Sequence, residues 1–98
     1  MSDIDVVAVL IAKPGSEGIV GAALHDLVAP TRAEPGCVSY ELFTSASSAQ
    51  TFVTIEKWKT EADLAAHMQT PHIAAALVAA GEHLAEAPAI HALVPDAL

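Results

Sequence analysis

The chain carries its only tryptophan and two of its five histidines close together in its second half. Trp58 closes an apolar, β-prone run, and His67 and His72 follow it on either side of Thr70-Pro71. An indole ring can stack on a flat aromatic ligand, its N–H can donate to an anionic oxygen, and a neutral imidazole is a competent base near pH 7. These residue types therefore predict a site that binds an aromatic compound and removes a proton from it.

Four side chains are the candidate catalytic residues of this site: Trp58, His72, His67 and Tyr40. His72 follows a predicted helix N-terminus, where the helix dipole disfavours imidazolium, so it is preferred to His67 as the base. Tyr40 could donate to a substrate carbonyl from a neighbouring strand. Each residue also has a purely structural alternative, which is core packing for Trp58 and Tyr40 and helix capping or backbone hydrogen bonding for the histidines.

Two charged residues and the single cysteine could border this site without acting in it. Glu56 is expected to be solvated or to pair with Arg32, and Arg32 itself suits the C-terminal end of a helix. Cys37 begins a strand with no obvious base beside it, which predicts an inert thiol. Because it is the only cysteine, an intrachain disulfide is excluded.

The motifs of the chain favour neither a metal nor an organic cofactor. His67 and His72 are interrupted by Pro71 and do not form the i,i+4 helix pair of many zinc sites. The sequence contains no phosphate-binding glycine loop, dinucleotide fingerprint or Gly-x-Ser-x-Gly elbow. We therefore expect no metal ligands and no cofactor.

The first half of the chain predicts the elements that lead to Trp58. Residues 6–12 form a short, β-branched apolar run that is typical of a strand buried on both faces. A helical apolar period begins at Glu17 and ends at Glu34-Pro35-Gly36. Residues 37–44 and 51–58 read as two strands joined by a small polar loop, as in a β-hairpin.

The alternation within these two strands predicts which side chains meet. In the first strand, Val38, Tyr40 and Leu42 share a face, and in the second Glu56 and Trp58 share one. If the two strands pair, Tyr40, Glu56 and Trp58 lie in the same layer.

Two helix caps divide the second half of the chain. Thr60 opens a capping box for a short helix to about residue 68, and Thr70, followed by proline, caps a helix predicted to run to about residue 86. Gly81 is expected to weaken this helix only locally. A final strand is predicted at residues 89–94.

The predicted order β-α-β-β-α-α-β indicates an α+β protein with a ferredoxin-like split βαβ fold. Two helices would cover one face of a four-stranded antiparallel sheet, and residues 1–98 would form a single domain. The strands are apolar on both sides, so the uncovered face predicts a homodimer.

The charge balance limits the partners of the protein. The chain has 98 residues, a net charge of −8 and only four basic residues, so binding to nucleic acid or to an anionic membrane surface is not expected. Its apolar runs are too short to span a bilayer, and the acidic N-terminal residues do not fit a signal peptide. With its single cysteine, the chain predicts a cytoplasmic protein.

Five short motifs connect the chain with a known family: Arg32-Ala33-Glu34-Pro35-Gly36-Cys37, Tyr40-Glu41, Glu56-Lys57-Trp58, Leu64-Ala65-Ala66-His67 and Thr70-Pro71-His72-Ile73. On these motifs the chain resembles, over residues 6–94, the antibiotic biosynthesis monooxygenase (ABM) family and its small quinol-monooxygenase-like members. The resemblance implies a dimeric α+β barrel with a pocket between sheet and helices in each subunit. It also implies that a small aromatic substrate, a quinol or polycyclic phenol, is oxidised by O₂ without metal or flavin.

Two departures narrow this resemblance. One oxygenase branch of the family has an asparagine where this chain has Thr54. The haem-degrading branch has an asparagine in the first strand and a proximal histidine in the long helix, where this chain has Ala8 and Leu77. Haem oxygenation is not expected, because the iron would lack its axial ligand.

Two other functions are compatible with the sequence. One is an isomerase or other proton-transfer enzyme acting on a small carbonyl compound, since a related branch works on a phosphorylated dione. This alternative needs a cation for the phosphate, and Arg32 is the only obvious one. The other is a non-catalytic dimeric small-molecule-binding module, because nothing in the sequence shows that a bound molecule reacts.

Overall fold

The structure is a computed structural model that describes residues 3–97. Its elements are β1 (Ile4–Ile11), α1 (Glu17–Arg32), β2 (Cys37–Thr44), β3 (Thr51–Trp58), α2 (Glu61–His67), α3 (Pro71–Ala80), a 3-10 turn (Gly81–His83) and β4 (Ala89–Leu93). The strands form one antiparallel sheet in the order β2-β3-β1-β4. The predicted α+β, ferredoxin-like split βαβ fold is confirmed. Within residues 3–97, no helix is both long and apolar enough to cross a bilayer.

Helices α1 and α3 cover one face of the sheet, which we call the inner face. Val20, Leu24 and Leu27 recur at helical spacing along α1 and are buried. They belong to one core cluster with Phe52 of β3 and Ile73 of α3. This core holds the helices over the inner face, on which the predicted site residues lie.

Strand β3 carries most of those residues and alternates as predicted. Thr54, Glu56 and Trp58 are buried, whereas Ile55 between them is exposed. Tyr40 of β2 is directly opposite Glu56 in the sheet, and directly opposed residues of antiparallel strands point to the same face. The predicted layer of Tyr40, Glu56 and Trp58 is therefore confirmed.

A β-bulge at the start of β2 corrects one part of the predicted register. Cys37 pairs with Trp58, but Ser39 pairs with Lys57, so Val38 is the extra residue of the bulge. Val38 is 45% exposed whereas Tyr40 is 3% exposed, so the prediction that these two side chains share a face is wrong. The alternation rule is wrong at this position because it assumes an uninterrupted pleat.

Two threonine caps build the corner that joins β3 to α3. Thr60 Oγ1 accepts a hydrogen bond from a backbone N–H of α2 at 3.1 Å, and Thr70 Oγ1 accepts one from a backbone N–H of α3 at 3.3 Å. Both predicted caps are confirmed. As a result, His67 ends one helix and His72 lies in the first turn of the next.

The long helix is shorter than predicted. α3 ends before Gly81 rather than near residue 86, and Leu84 is already extended. The segment after the helix pairs instead with the end of β1, where the Ala85 N–H donates to the Ile11 carbonyl oxygen at 2.7 Å. The low helix propensity of Gly81 favours this exchange of helical hydrogen bonds for cross-strand ones.

The opposite face of the sheet, which we call the outer face, is not covered by any element within residues 3–97 and exposes several large apolar side chains. Phe43, Ile55 and Leu93 are 48%, 52% and 48% exposed there. Lys57 and Asp5 form an ion pair at 3.2 Å on the same face. The outer face therefore combines exposed apolar side chains with a charged pair on its two central strands.

Candidate functional site

A cavity of about 80 Å³ lies between the inner face of the sheet and the three helices. Its walls are mainly aliphatic side chains. Four polar residues interrupt them: Tyr40 of β2, Thr54 and Glu56 of β3, and His67 at the end of α2. An apolar compartment with a few convergent polar groups is the usual form of a small-molecule site.

Glu56 is the acidic group of the cavity wall, and two donors hold it. The residue is 5% exposed. Trp58 Nε1 donates to its Oε1 at 2.9 Å, and Thr54 Oγ1 donates to its Oε2 at 2.6 Å. These bonds offset part of the desolvation that a buried carboxylate undergoes. The expectation that Glu56 is solvated or paired with Arg32 is wrong, because Arg32 pairs with Glu41.

Trp58 supports the site from behind the cavity wall. Its side chain is 0% exposed and does not line the cavity. The indole centroid lies 4.6 Å from the His67 ring centroid, with an interplanar angle of 39°. Since its N–H is engaged by Glu56, the indole in this arrangement contacts protein groups on both its face and its edge.

One carboxylate oxygen contacts both histidines of the corner. Glu34 Oε2 lies 2.7 Å from His67 Nδ1 and 2.8 Å from His72 Nε2. With Glu34 ionised, its carboxylate only accepts hydrogen bonds, so the tautomers that satisfy both contacts carry a proton on His67 Nδ1 and on His72 Nε2. In the neutral rings, the nitrogens left as acceptors are therefore Nε2 of His67 and Nδ1 of His72.

The two histidines face different spaces. His67 is 3% exposed and lines the cavity, whereas His72 lines a separate groove between α1 and α3 together with Asp26. The structure thus brings His67, rather than the preferred His72, to the cavity wall. Glu34 was not among the predicted site residues, because its Glu-Pro-Gly segment predicts the end of a helix and supports the family resemblance without indicating a role in the site.

Tyr40 lines the cavity as a neutral donor. It is 3% exposed. Burial raises the pKa of its hydroxyl above the usual range, and the charge of Glu56 raises it further, against a smaller opposing effect of Thr54. The hydroxyl therefore stays protonated at neutral pH. Burial also raises the pKa of the Cys37 thiol, with a smaller contribution from Glu34, which fits the expected inert thiol.

The same corner contains a group of potential metal ligands. Within residues 3–97, Glu34, His67 and His72 offer ligand atoms that all lie within 4.8 Å of one another. The spacing argument from sequence considered pairs on one helix and missed this group. Its members come from a loop and from the ends of two different helices.

Comparison with known proteins relates the whole chain to one family. The family model described as "Antibiotic biosynthesis monooxygenase" matches residues 4–79. The Mycobacterium tuberculosis protein named "Putative monooxygenase Rv0793" is 32% identical over 94 residues, which cover 96% of this chain and 92% of that protein. Its solved structure has a TM-score of 0.88 at 31% identity and covers 99% of this chain and 98% of the other.

Two further proteins extend the comparison. "Putative monooxygenase YcnE" from Bacillus subtilis is 37% identical over 81 residues, which cover 83% of this chain and 84% of that protein. The crystal structure of PA3566 from Pseudomonas aeruginosa has a TM-score of 0.91 at 30% identity and covers 99% of this chain and 97% of the other. Sequence and fold thus point to the same group of small proteins.

Proposed function

Because the chain belongs to the antibiotic biosynthesis monooxygenase family, we propose that it is a cofactor-independent monooxygenase that oxidises a quinol or polycyclic phenol with O₂. The observation that supports this proposal best is the cavity, whose largely aliphatic walls include an oriented imidazole and a protonated tyrosine hydroxyl. An apolar compartment of this kind suits an aromatic ring and strengthens each of the few polar contacts.

His67 is the proposed base. Glu34 accepts its Nδ1–H at 2.7 Å, so Nε2 is left to take the phenolic proton of the substrate. Trp58 packs against the imidazole and fixes its plane, which makes the indole a positioning residue in this proposal. The hydroxyl of Tyr40 donates to the substrate oxygen and stabilises the phenolate that forms.

The phenolate is itself the reductant of O₂. It transfers one electron to O₂, and the two radicals combine into a ring peroxide through a new C–O bond. The peroxide O–O bond then breaks as the same carbon loses its hydrogen as a proton, and the leaving oxygen takes up this proton and the one that His67 returns, so that it departs as water. A phenol and O₂ thus give a quinone and water, or a quinol gives a hydroxyquinone and water. All four electrons come from the substrate.

The charges of the cavity wall disfavour a phosphorylated dione as the substrate. Among the described residues, no lysine or arginine lines the cavity, and Arg32 is paired with Glu41. Glu56 adds a carboxylate to the wall, which repels a phosphate or carboxylate group of a ligand. An uncharged hydroxyaromatic compound fits better, because its hydroxyl can donate to Glu56 or His67.

We also propose that the protein is a homodimer formed through the outer face of the sheet. Phe43, Ile55 and Leu93 are about half exposed on that face, and an apolar patch of this kind is typical of a subunit interface. Two sheets packed face to face would give the dimeric α+β barrel that the family resemblance implies. Each subunit would keep its own cavity on the inner face.

The test of the enzymatic proposal is turnover of a panel of hydroxynaphthoquinols and polycyclic phenols under air and under nitrogen. We expect O₂-dependent product formation faster than spontaneous oxidation. His67→Gln should lower this rate by about 10²–10⁴-fold, the usual contribution of a general base. His25→Gln is the matched control, because His25 is an exposed histidine of α1 that does not line the cavity.

Two results would contradict this assignment in different ways. Wild-type rates equal to the protein-free background over the whole panel would refute the monooxygenase. If the same compounds saturably quench the fluorescence of Trp58 without being turned over, the protein is a binding module instead. An unchanged rate in His67→Gln would refute the role of His67 alone.

A further inference from the structure

We propose that Glu34, His67 and His72 also bind a divalent transition-metal ion, for which Zn²⁺ is the best match, and that the bound ion blocks His67 as a base. The ligands are a carboxylate from the loop between α1 and β2 and two imidazoles from the corner between α2 and α3. The proposal that the ion binds does not depend on the proposed function. Only the proposal that the ion prevents His67 from acting as a base rests on it.

The three ligand atoms already converge. They lie within 4.8 Å of one another, and Glu34 Oε2 is 2.7 Å from His67 Nδ1 and 2.8 Å from His72 Nε2. Tetrahedral ligands about 2.0–2.1 Å from Zn²⁺ are roughly 3.3 Å apart. To admit the ion, the carboxylate oxygen has to withdraw from each nitrogen by about 0.5 Å, and the two nitrogens, which lie within 4.8 Å of each other, have to approach to about the same 3.3 Å by rotation of the imidazoles.

The donor set is one that zinc uses. Two imidazoles and one carboxylate bind Zn²⁺ in sites where a water molecule takes the fourth position. The same nitrogen and oxygen donors accept Co²⁺, Ni²⁺ and Cu²⁺. The three side chains are 3% (His67), 13% (Glu34) and 21% (His72) exposed, so the site is mostly shielded but is reached past His72.

The surroundings favour a cation and support the backbone and rings of its ligands. The chain has a net charge of −8, which raises the local concentration of cations. A groove of about 250 Å³ beside His72 also contains Asp26, so the approach to the site is acidic. Trp58 packs against the His67 ring, and Thr70 Oγ1 donates to the His67 carbonyl oxygen at 2.8 Å. Support of this kind holds metal ligands in place.

Metal binding and base catalysis need opposite tautomers of His67. In the hydrogen-bonded form, Nδ1 carries the proton and Nε2 is the acceptor. When Nδ1 binds the ion, the single proton of the neutral ring lies on Nε2, which can no longer accept a phenolic proton. In the absence of the ion, Glu34 therefore orients His67 as a base. When the ion is bound, His67 can no longer act as a base.

Binding is tested on tag-free protein that has been treated with a chelator and dialysed. We expect calorimetry to give one Zn²⁺ per chain, and Co²⁺ to give the visible absorption of a four- or five-coordinate ion. Glu34→Gln and His72→Gln should each weaken binding at least tenfold, whereas His25→Gln should leave it unchanged. Both ligand variants change partly exposed side chains, and circular dichroism with Trp58 fluorescence verifies that they are folded.

The outcomes separate the metal site from the proposed function. Substoichiometric Zn²⁺ binding, or equal affinity in wild type, Glu34→Gln and His72→Gln, would overturn the site. With an active wild type, Zn²⁺ should inhibit turnover in proportion to its occupancy and EDTA should reverse the inhibition, and full activity at saturating Zn²⁺ would overturn the block. If no compound is turned over, the titrations still decide the site.

Discussion

The buried hydroxyl of Tyr40 should lower the stability of the folded protein at high pH, and the substitution Tyr40→Phe isolates this contribution. In the folded chain, burial and then the charge of Glu56 raise the pKa of its hydroxyl above the ordinary value of about 10. Well below pH 10, the phenol is protonated in both the folded and the unfolded chain, and the full stability is present. Above about pH 10, only the unfolded chain loses the proton, so rising pH favours unfolding.

The size of this effect follows from the linkage between proton binding and folding. Each pH unit between the unfolded and the folded pKa lowers the free energy of unfolding by about 1.4 kcal/mol. Tyr40 is only 3% exposed, so solvent screening reduces the shift little. Tyr40 should therefore remove about 1.4 kcal/mol of stability between pH 9 and pH 11. Tyr40→Phe keeps the aromatic ring but has no hydroxyl to titrate, so it should not show this pH-dependent loss of stability.

The assay is urea unfolding of wild type and Tyr40→Phe at pH 9 and pH 11, followed by Trp58 fluorescence at one protein concentration. Lysines titrate in the same range, but they are common to both proteins and cancel in the difference. Tyr40 is the only tyrosine, so phenolate absorbance also reports its titration directly. An equal loss in both proteins, or phenolate absorbance near pH 10 in the folded state, would refute the burial argument.

Two further substitutions test the outer face and the corner. Ile55→Glu places a carboxylate in the outer face, so light scattering should show a folded monomer. The control Val78→Glu, at an 85% exposed position of α3, should remain dimeric. A dimeric Ile55→Glu would show that the interface lies elsewhere. Gly36→Ala should lower the free energy of unfolding by about 1–3 kcal/mol, because a Cβ there overlaps the Asp63 side chain. Gly81→Ala, where a Cβ meets open space, should not be destabilising, and equal urea midpoints for the two alanine variants would contradict the overlap.

The parts of the site that local rules decide could be predicted from the sequence. The alternation of buried and exposed residues in β3 follows from the pleat of any strand, so the common layer of Tyr40, Glu56 and Trp58 could be predicted from the sequence. The two threonine caps are equally local, because each side chain bonds a backbone N–H of its own helix. Together they placed the aromatic ring and both imidazoles at one corner of the fold.

The remaining features depend on contacts between distant parts of the chain. Glu34 is separated from His67 by 33 positions and from His72 by 38, and no local pattern encodes these hydrogen bonds. The direction of the Trp58 ring, behind His67 rather than in the cavity, is likewise set by tertiary packing. The early end of α3 reflects long-range pairing with β1, which replaces a turn of helix that local propensity alone would allow.

Different elements of the fold determine the shape of the cavity and supply its acid–base groups. The polar residues come from β2, β3 and the end of α2, whereas α1 and α3 supply much of the aliphatic wall. Ala76 and Ala80 of α3 are small, so one larger side chain at either position would shorten the cavity without displacing a polar group. Substrate size can therefore diverge during evolution, or be redesigned, while the proton-transfer groups are inherited unchanged.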